Sequence, residues 1–315
     1  MGQIIACANQ KGGVGKTTTV VSLAAFLALD GARVLVVDSD PQGNATSGLG
    51  IGRDPARLSL YDVLAGDVEM TRVRLHTAIQ GLDVIPSAVT MAASEVELTA
   101  VEDRERRLAR HLASVAHEYD FILVDCPPSL GLLTVGALAG ADEVLIPVQC
   151  EYYALEGLGQ LMGTINLVRD HLNPSLEVNG IVLTMFDSRT RLSGQVRDEV
   201  RRHLGRAVYR TVIPRSVRLA EAPSHGTPIA MYRAKSKGAV AYRALARELR
   251  KRARQADGAR RSGVDRRLAS PGQAVHPGEA SEPAASGATG SEHRGAGRAT
   301  TTGPAAASVP AGVST

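Results

Sequence analysis

Tryptophan is absent from this 315-residue chain, and phenylalanine and cysteine occur only three times each. With so few large aromatics, any core must be aliphatic, built from Val, Leu, Ile and Ala. The length is enough for one large domain or two ordinary ones. Cys7, Cys126 and Cys150 are odd in number, far apart and without C-x-x-C spacing. That pattern argues against a disulfide framework or a zinc site and for a reducing cytosol. No apolar stretch approaches about 18 residues, so no membrane-spanning helix is expected. The N-terminus lacks the basic region and long apolar run of a secretory signal, and Ala6 stands where a myristoylation pattern needs Ser or Thr.

Acidic residues are scarce in one part of the chain only. The formal net charge is +4, yet residues 1–185 hold 12 Lys and Arg against 22 Asp and Glu, whereas residues 186–254 hold 18 against 5. A basic segment of this kind is the electrostatic footprint of a polyanion-binding face, or an arginine-rich solvated surface.

Up to residue 254 short β-rich runs alternate with helical segments. Strands are expected at 3–8, 33–37, 82–85, 121–124, 143–148, 178–184 and 207–211, and helices at 17–30, 102–117, 154–171, 192–204 and 238–254. Several strands are apolar on both faces, as in a parallel sheet covered by helices. The expected fold class is therefore α/β: a doubly wound, mostly parallel sheet with helices on both faces, in which ligands bind at the carboxyl ends of the strands. Residues 255–315 shift to Ala, Gly, Ser, Pro and Thr. They read as a low-complexity, disordered tail after a single domain at 1–254.

Between the first strand and first helix runs NQKGGVGKTTT, residues 9–19. It differs from the standard phosphate-loop pattern, with Gln10 where glycine is usual and a second lysine, Lys11, inside the loop. Gly12, Gly13 and Gly15, with Val14 between them, let backbone N–H groups converge on phosphate oxygens at a helix N-terminus that also includes Thr18. Lys16 would neutralise the β- and γ-phosphates, and the Thr17 hydroxyl would hold Mg²⁺. FILVDCPPS ends a strand in Asp125, where a carboxylate can reach the magnesium shell or simply cap the strand. VLVVDSDPQGN ends another in Asp38 and Asp40, which alternation sends to the same side.

KGGVGKTT, VDSDPQGN, VDCPPSLG and VIPRSVRLAEAPSHGTPI together resemble the deviant Walker ATPases of the ParA/Soj type, which partition chromosomes and plasmids. The resemblance covers residues 1–254. It implies an Mg-ATP-binding P-loop NTPase that dimerises face to face around two nucleotides, with Lys11 reaching the partner's phosphates. It also implies that Asp40 orients the attacking water, Asp38 sits in the magnesium and switch region, and Asp125 contacts magnesium through water. Pro214 would lie against adenine. Ser216 stands where the family has asparagine, and its hydroxyl offers fewer hydrogen bonds than an amide.

The resemblance further implies that Arg189 and Arg218 contribute to sequence-independent binding of double-stranded DNA, with Arg191, Arg197, Arg201 and Arg202 as candidates to widen the surface. It implies a ParB-type centromere-binding partner that stimulates a weak intrinsic ATPase, and a cytoplasmic, nucleoid-associated protein without stable membrane binding. Three rival readings stand beside it. A MinD-type membrane ATPase would need an apolar face on the last helix, AYRALARELRKRARQ, which is strongly basic. An iron–sulfur reductase of the nitrogenase iron-protein type would need paired cysteines. A DNA scaffold that uses ATP only to dimerise carries the same motifs.

Overall fold

The computed structural model describes residues 2–261, except 53, 55, 93–96, 99, 100, 152 and 153. The chain divides into units Met1–Leu268 and Ala269–Thr315. The second unit, and with it most of the expected tail, lies outside the described residues.

Eight strands form one sheet: β1 Gln3–Cys7, β2 Val34–Asp38, β3 Leu75–His76, β4 Leu82–Ile85, β5 Phe121–Asp125, β6 Glu143–Gln149, β7 Glu177–Phe186 and β8 Val208–Pro214. Their spatial order is β3-β4-β2-β5-β1-β6-β7-β8, and every pairing is parallel except that of β3 with β4. β2 (VLVVD) and β5 (FILVD) are buried along their whole length. Alternation divides their side chains between two cores. Ile4, Ala6, Leu35, Val37, Ile122 and Val124 face one core, and Ile5, Cys7, Val34, Val36, Phe121 and Leu123 face the other.

Helices α1 (Lys16–Leu29), α2 (Asn44–Gly48), α3 (Leu60–Leu64), α4 (Met70–Val73), α5 (Arg104–Val115), α6 (Leu132–Gly140), α7 (Ala154–His171) and α8 (Arg191–Leu204) lie between the strands, and α9 (Val217–Glu221), α10 (Ile229–Tyr232) and α11 (Lys237–Arg261) follow β8. The helices α5, α6 and α7 bury Leu112, Ala137 and Leu161 in the first core, while α1 and α11 bury Leu23 and Leu245 in the second. α1 is apolar almost all round because it lies inside the second core, and the Thr19 and Tyr242 hydroxyls join it to α11 at 3.0 Å. The buried Glu143 accepts from Gln3 Nε2 at 2.6 Å and also from Asn179, which accepts from Tyr209. Arg252 stacks on the Tyr209 ring at 3.8 Å, so β1, β6, β7, β8 and α11 share one polar network.

Several elements depart from the expectations, among them β3 and the short helices α2, α3, α4, α9 and α10, which form where none was expected. α6 is a full helix where none was expected, in a segment interrupted by Gly136 and Gly140. A Cβ on Gly140, the last residue of α6, would stand 2.7 Å from Ala109 Cα of α5, so this glycine permits a close helix crossing. α11 also continues past 254 to Arg261. Among the described residues, no helix is long and apolar enough to cross a membrane.

Candidate functional site

β1 lies between β5 and β6, and the loop that follows it opens at the carboxyl edge where the sheet's winding changes direction, the usual place for a ligand in such folds. The register sets Cys7 beside Asp125 and Asp125 beside Asp38, so both carboxylates stand at the mouth of the loop. Gly13 and Gly15 adopt φ of 75° and 89°, a region that side chains disfavour, and no atom lies within 4 Å of where a Gly13 Cβ would stand.

The loop is pinned from outside. Asn9 Nδ2 donates to the Pro147 carbonyl at 2.8 Å and Asn9 Oδ1 accepts from the Lys11 N–H at 3.0 Å. The Thr184 hydroxyl donates to the Val14 carbonyl at 2.8 Å. Lys16 and Thr17 open α1, and Thr18 follows in its first turn. The Lys16 ammonium is buried and donates to the Lys11 carbonyl at 3.4 Å, closing the loop over itself. The shape suits a tetrahedral anion: glycine backbone, a buried ammonium and a helix N-terminus converge.

The three aspartates differ in their surroundings. Asp38 Oδ2 accepts from the Thr46 N–H at 2.7 Å and its hydroxyl at 2.6 Å, which ties the end of β2 to α2. Asp40 Oδ1 accepts from the Gln42 N–H at 2.9 Å, and the Ser87 hydroxyl donates to the Asp40 carbonyl at 2.7 Å. Asp125 is fully buried, and no group meets full hydrogen-bond geometry to either carboxylate oxygen among the described residues, although the Thr17 hydroxyl is close enough to favour the charged form. Burial pushes both Asp38 and Asp125 above the usual carboxylate range. Asp125 rises further because Asp38 repels it, and the neighbouring Thr17 hydroxyl and Lys16 ammonium offset only part of this.

A buried carboxylate with neither oxygen fully satisfied is an expensive arrangement unless a cation completes it. Asp125 and Thr17 fit a magnesium shell on this ground. Among the described residues, no group of three His, Cys, Asp or Glu could hold a metal alone. Mg²⁺ is usually held by one or two protein oxygens together with water and substrate phosphates, which suits this donor set.

Lys11 is placed apart from Lys16. Its ammonium, 42% exposed, pairs with Glu151 Oε2 of its own chain at 2.8 Å. Pro214 ends β8 beside Phe186, and Ser216 precedes α9 with no hydrogen bond from its hydroxyl to that helix.

Arg189 and Arg218 follow β7 and β8 on the same edge of the sheet. Each is matched to a local acid: Arg189 to Asp187 at 2.7 Å and Arg218 to Glu221 at 2.7 Å. Five acids cannot balance 18 bases in this segment, yet both of these arginines are paired. All five acids of the segment sit on an arginine, the others being Asp198 on Arg197, Glu199 on Arg202 and Glu248 on Arg252. Arg201 donates to the Arg210 carbonyl, and Arg191 makes no ion pair among the described residues. Exposed pairs of this kind are weak, so a phosphate can compete for the arginines.

Sequence reading missed Glu151, Thr46, Asn9 and Thr184. Asn9 had a local signal, lying two residues before Lys11; Glu151 and Thr184 meet the loop, and Thr46 meets Asp38, only through tertiary contacts. The cysteines are all free and buried, and burial pushes the Cys150 thiol up to about 11, as suits packing residues rather than cluster ligands.

The model of the AAA domain family matches residues 2–178. The chain is 55% identical over 249 residues to the sporulation initiation inhibitor protein Soj of Bacillus subtilis, covering 79% of this chain and 98% of that one. It is 53% identical to the chromosome partitioning protein ParA of Myxococcus xanthus, over 80% and 89% of the two chains. Among solved structures, cobyrinic acid a,c-diamide synthase of Mycobacterium smegmatis, with a bound ATP analog and magnesium, superposes with a TM-score of 0.72 at 39% identity, over 81% and 97% of the two chains. The cell division ATPase MinD of Pyrococcus furiosus superposes with a TM-score of 0.67 at 30% identity, over 80% and 99%. Identity is higher to the Soj and ParA sequences than to either solved structure, and the matched length is enough to take in the glycine loop, the aspartates and the basic segment alike. The chain belongs to the ParA/Soj family of P-loop ATPases.

Proposed function

We propose that this protein is an ATP-dependent partitioning ATPase for chromosome or plasmid DNA, working as an ATP-assembled dimer in the cytoplasm on the nucleoid. Its domain would be residues 1–254, followed by a tail. The observation that carries the nucleotide reading is the buried, incompletely satisfied Asp125 at the mouth of a glycine loop that already holds a buried Lys16.

ATP is the substrate. Gly12, Gly13, Val14, Gly15 and Thr18 offer their backbone N–H groups to its phosphates, and Lys16 neutralises the β- and γ-oxygens. Mg²⁺, when bound, would be held by Thr17 and through water by Asp125, and would neutralise charge between the phosphates. Asp38, hydrogen-bonded to Thr46, couples that site to α2. Asp40 places the attacking water on the γ-phosphate. Pro214 and Ser216 border the base. Hydrolysis is weak without a partner because, among the described residues, no arginine reaches the loop from its own chain, so charge on the γ-phosphate depends on Lys11 of a second copy.

In the free chain Lys11 is held by Glu151, and that pair must open for the ammonium to cross to a partner. ATP supplies the replacement anion and hydrolysis removes it, so the dimer would last as long as the γ-phosphate. The dimer presents two copies of the Arg189 and Arg218 edge to double-stranded DNA. Affinity then comes from counterion release and not from base reading. A ParB-type centromere-binding protein would stimulate turnover and free the DNA.

Size-exclusion chromatography with light scattering, in ATP, ADP and no nucleotide, tests the switch. A dimer forms in ATP only. Lys16→Ala loses nucleotide binding, whereas Lys11→Ala binds nucleotide and remains monomeric; a Lys11→Ala dimer in ATP would refute the cross-subunit role.

The similarity to MinD supports a second reading, a membrane-associated ATPase. α11 opposes it, since its exposed positions carry Arg247, Lys251 and Arg254 without bulky apolar anchors. Pelleting with anionic liposomes in ATP decides between them. A scaffold with negligible turnover is separated by phosphate release: Asp40→Ala equal to the unaltered protein, with DNA and partner present, would favour the scaffold.

A further inference from the structure

The turn that leaves β2 carries Asp40, and a residue from another strand holds its conformation. β4 pairs with β2 through Val37 and Ile85, so the chain leaving β4 runs beside the chain leaving β2. Two residues past that pair stands Ser87, whose hydroxyl donates to the Asp40 carbonyl at 2.7 Å. Ser87 is itself fixed on both sides. Its N–H donates to the Thr46 hydroxyl oxygen at 3.0 Å, and the Pro86 carbonyl before it accepts from the Leu60 N–H of α3 at 2.9 Å.

These bonds close a ring. The Thr46 hydroxyl donates to Asp38 Oδ2 at 2.6 Å, and the Asp40 N–H donates to Asp38 Oδ1 at 3.3 Å. Asp38, Asp40, Thr46 and Ser87 thus form one circuit that joins the ends of β2 and β4 to α2. Within it Asp40 is held at its N–H, at Oδ1 by the Gln42 N–H at 2.9 Å, and at its carbonyl by both Ser87 and the Gly43 N–H, the latter at 2.9 Å. Pro41 follows, which disfavours a helical backbone at Asp40 and leaves rotation about ψ as its main freedom. That rotation sets the direction of the carbonyl. The Gly43 N–H belongs to the same turn and moves with it, whereas the Ser87 hydroxyl fixes the carbonyl from a separate strand.

We propose that Ser87 is the positioning residue for Asp40: its hydroxyl sets the backbone angle from which the carboxylate is aimed at the water attacking the γ-phosphate. The proposal rests on the role given to Asp40 above. Ser87 acts through the Asp40 carbonyl and not on ATP or the water. Aim matters steeply, since a misplacement of about 1 Å can cost on the order of 100-fold in rate. ATP binding draws instead on the glycine loop and Lys16, so loss of the Ser87 hydroxyl slows hydrolysis and leaves affinity alone.

The test is single-turnover hydrolysis of radiolabelled ATP by an excess of the full chain with Mg²⁺, paired with ATP affinity from displacement of a fluorescent analogue and with thermal melting. Ser87→Ala lowers the hydrolysis rate constant by about five- to tenfold, the equivalent of one lost hydrogen bond, with affinity within about twofold of the unaltered protein. Ser87→Cys, close in size but a weak donor, falls with alanine. Ser87→Thr restores the hydroxyl and recovers the rate. A merely structural role would neither order the three variants by donor strength nor spare affinity. If Ser87→Ala hydrolyses at the unaltered rate while Asp40→Ala does not, Ser87 alone is overturned. Loss of affinity and melting point in all three variants, threonine included, would make Ser87 a packing residue and overturn the proposal too. If Asp40→Ala matches the unaltered protein, or the unaltered protein hydrolyses nothing, the reading beneath the proposal falls first.

Discussion

Lys11 is already engaged by Glu151 in the single chain, a pair that would set a threshold for the proposed assembly. An exposed ion pair contributes about 0.2–1 kcal/mol, so Glu151 delays release of the lysine without preventing it. Glu151→Gln is expected to lower the protein concentration at which ATP produces dimers by up to about fivefold, read by sedimentation equilibrium. Asp125 is disfavoured in its charged form by burial and by repulsion from Asp38, which the Thr17 hydroxyl and Lys16 ammonium offset only in part. Asp125→Asn removes that repulsion. The nucleotide-free protein should melt higher, by about 2–4 °C for each kcal/mol recovered, while the further rise on adding Mg-ATP shrinks or disappears. A lower melting point without nucleotide would mean that Asp125 is a structural acid and not a ligand waiting for a cation.

At the scale of elements, the close crossing of α5 and α6 depends on one missing side chain. Gly140→Ala forces a Cβ to 2.7 Å from Ala109 Cα and is expected to cost about 1–3 kcal/mol in chemical denaturation. α6 also marks the limit of what the sequence discloses. β2 and β5 were legible because VLVVD and FILVD are unbroken β-branched and aliphatic runs that end in Asp. α6 was not, because two glycines, Gly136 and Gly140, weaken its local helical signal and make sense only with α5 packed against them. β3 is two residues long and exists only through its antiparallel pairing with β4. The glycine loop, the three aspartates and the basic edge were legible as local patterns. Thr46 on Asp38, Glu151 on Lys11 and Asp187 on Arg189 were not, because each pairing forms only when separate segments fold together or a loop turns back on itself, and Glu221 on Arg218 was not because it needs the short helix α9.

At the scale of the whole molecule, the nucleotide loop and the basic edge lie on the same carboxyl side of one sheet, so the proposed dimer would bring two copies of the cationic edge together. Removing residues 269–315 is expected to leave ATP-dependent dimerisation unchanged in light scattering, because the loop, the aspartates and the basic edge all lie in the Met1–Leu268 unit. Raising the salt should weaken duplex affinity steeply whatever the DNA sequence, since only phosphates are engaged. The most direct test of the account measures dimer mass and duplex affinity together, in ATP, ADP and no nucleotide, for the unaltered protein and Lys16→Ala. The account predicts that dimer and tight duplex binding appear together, in ATP alone, and that Lys16→Ala shows neither. Duplex affinity that is the same in all three conditions, or that survives in Lys16→Ala, would contradict it.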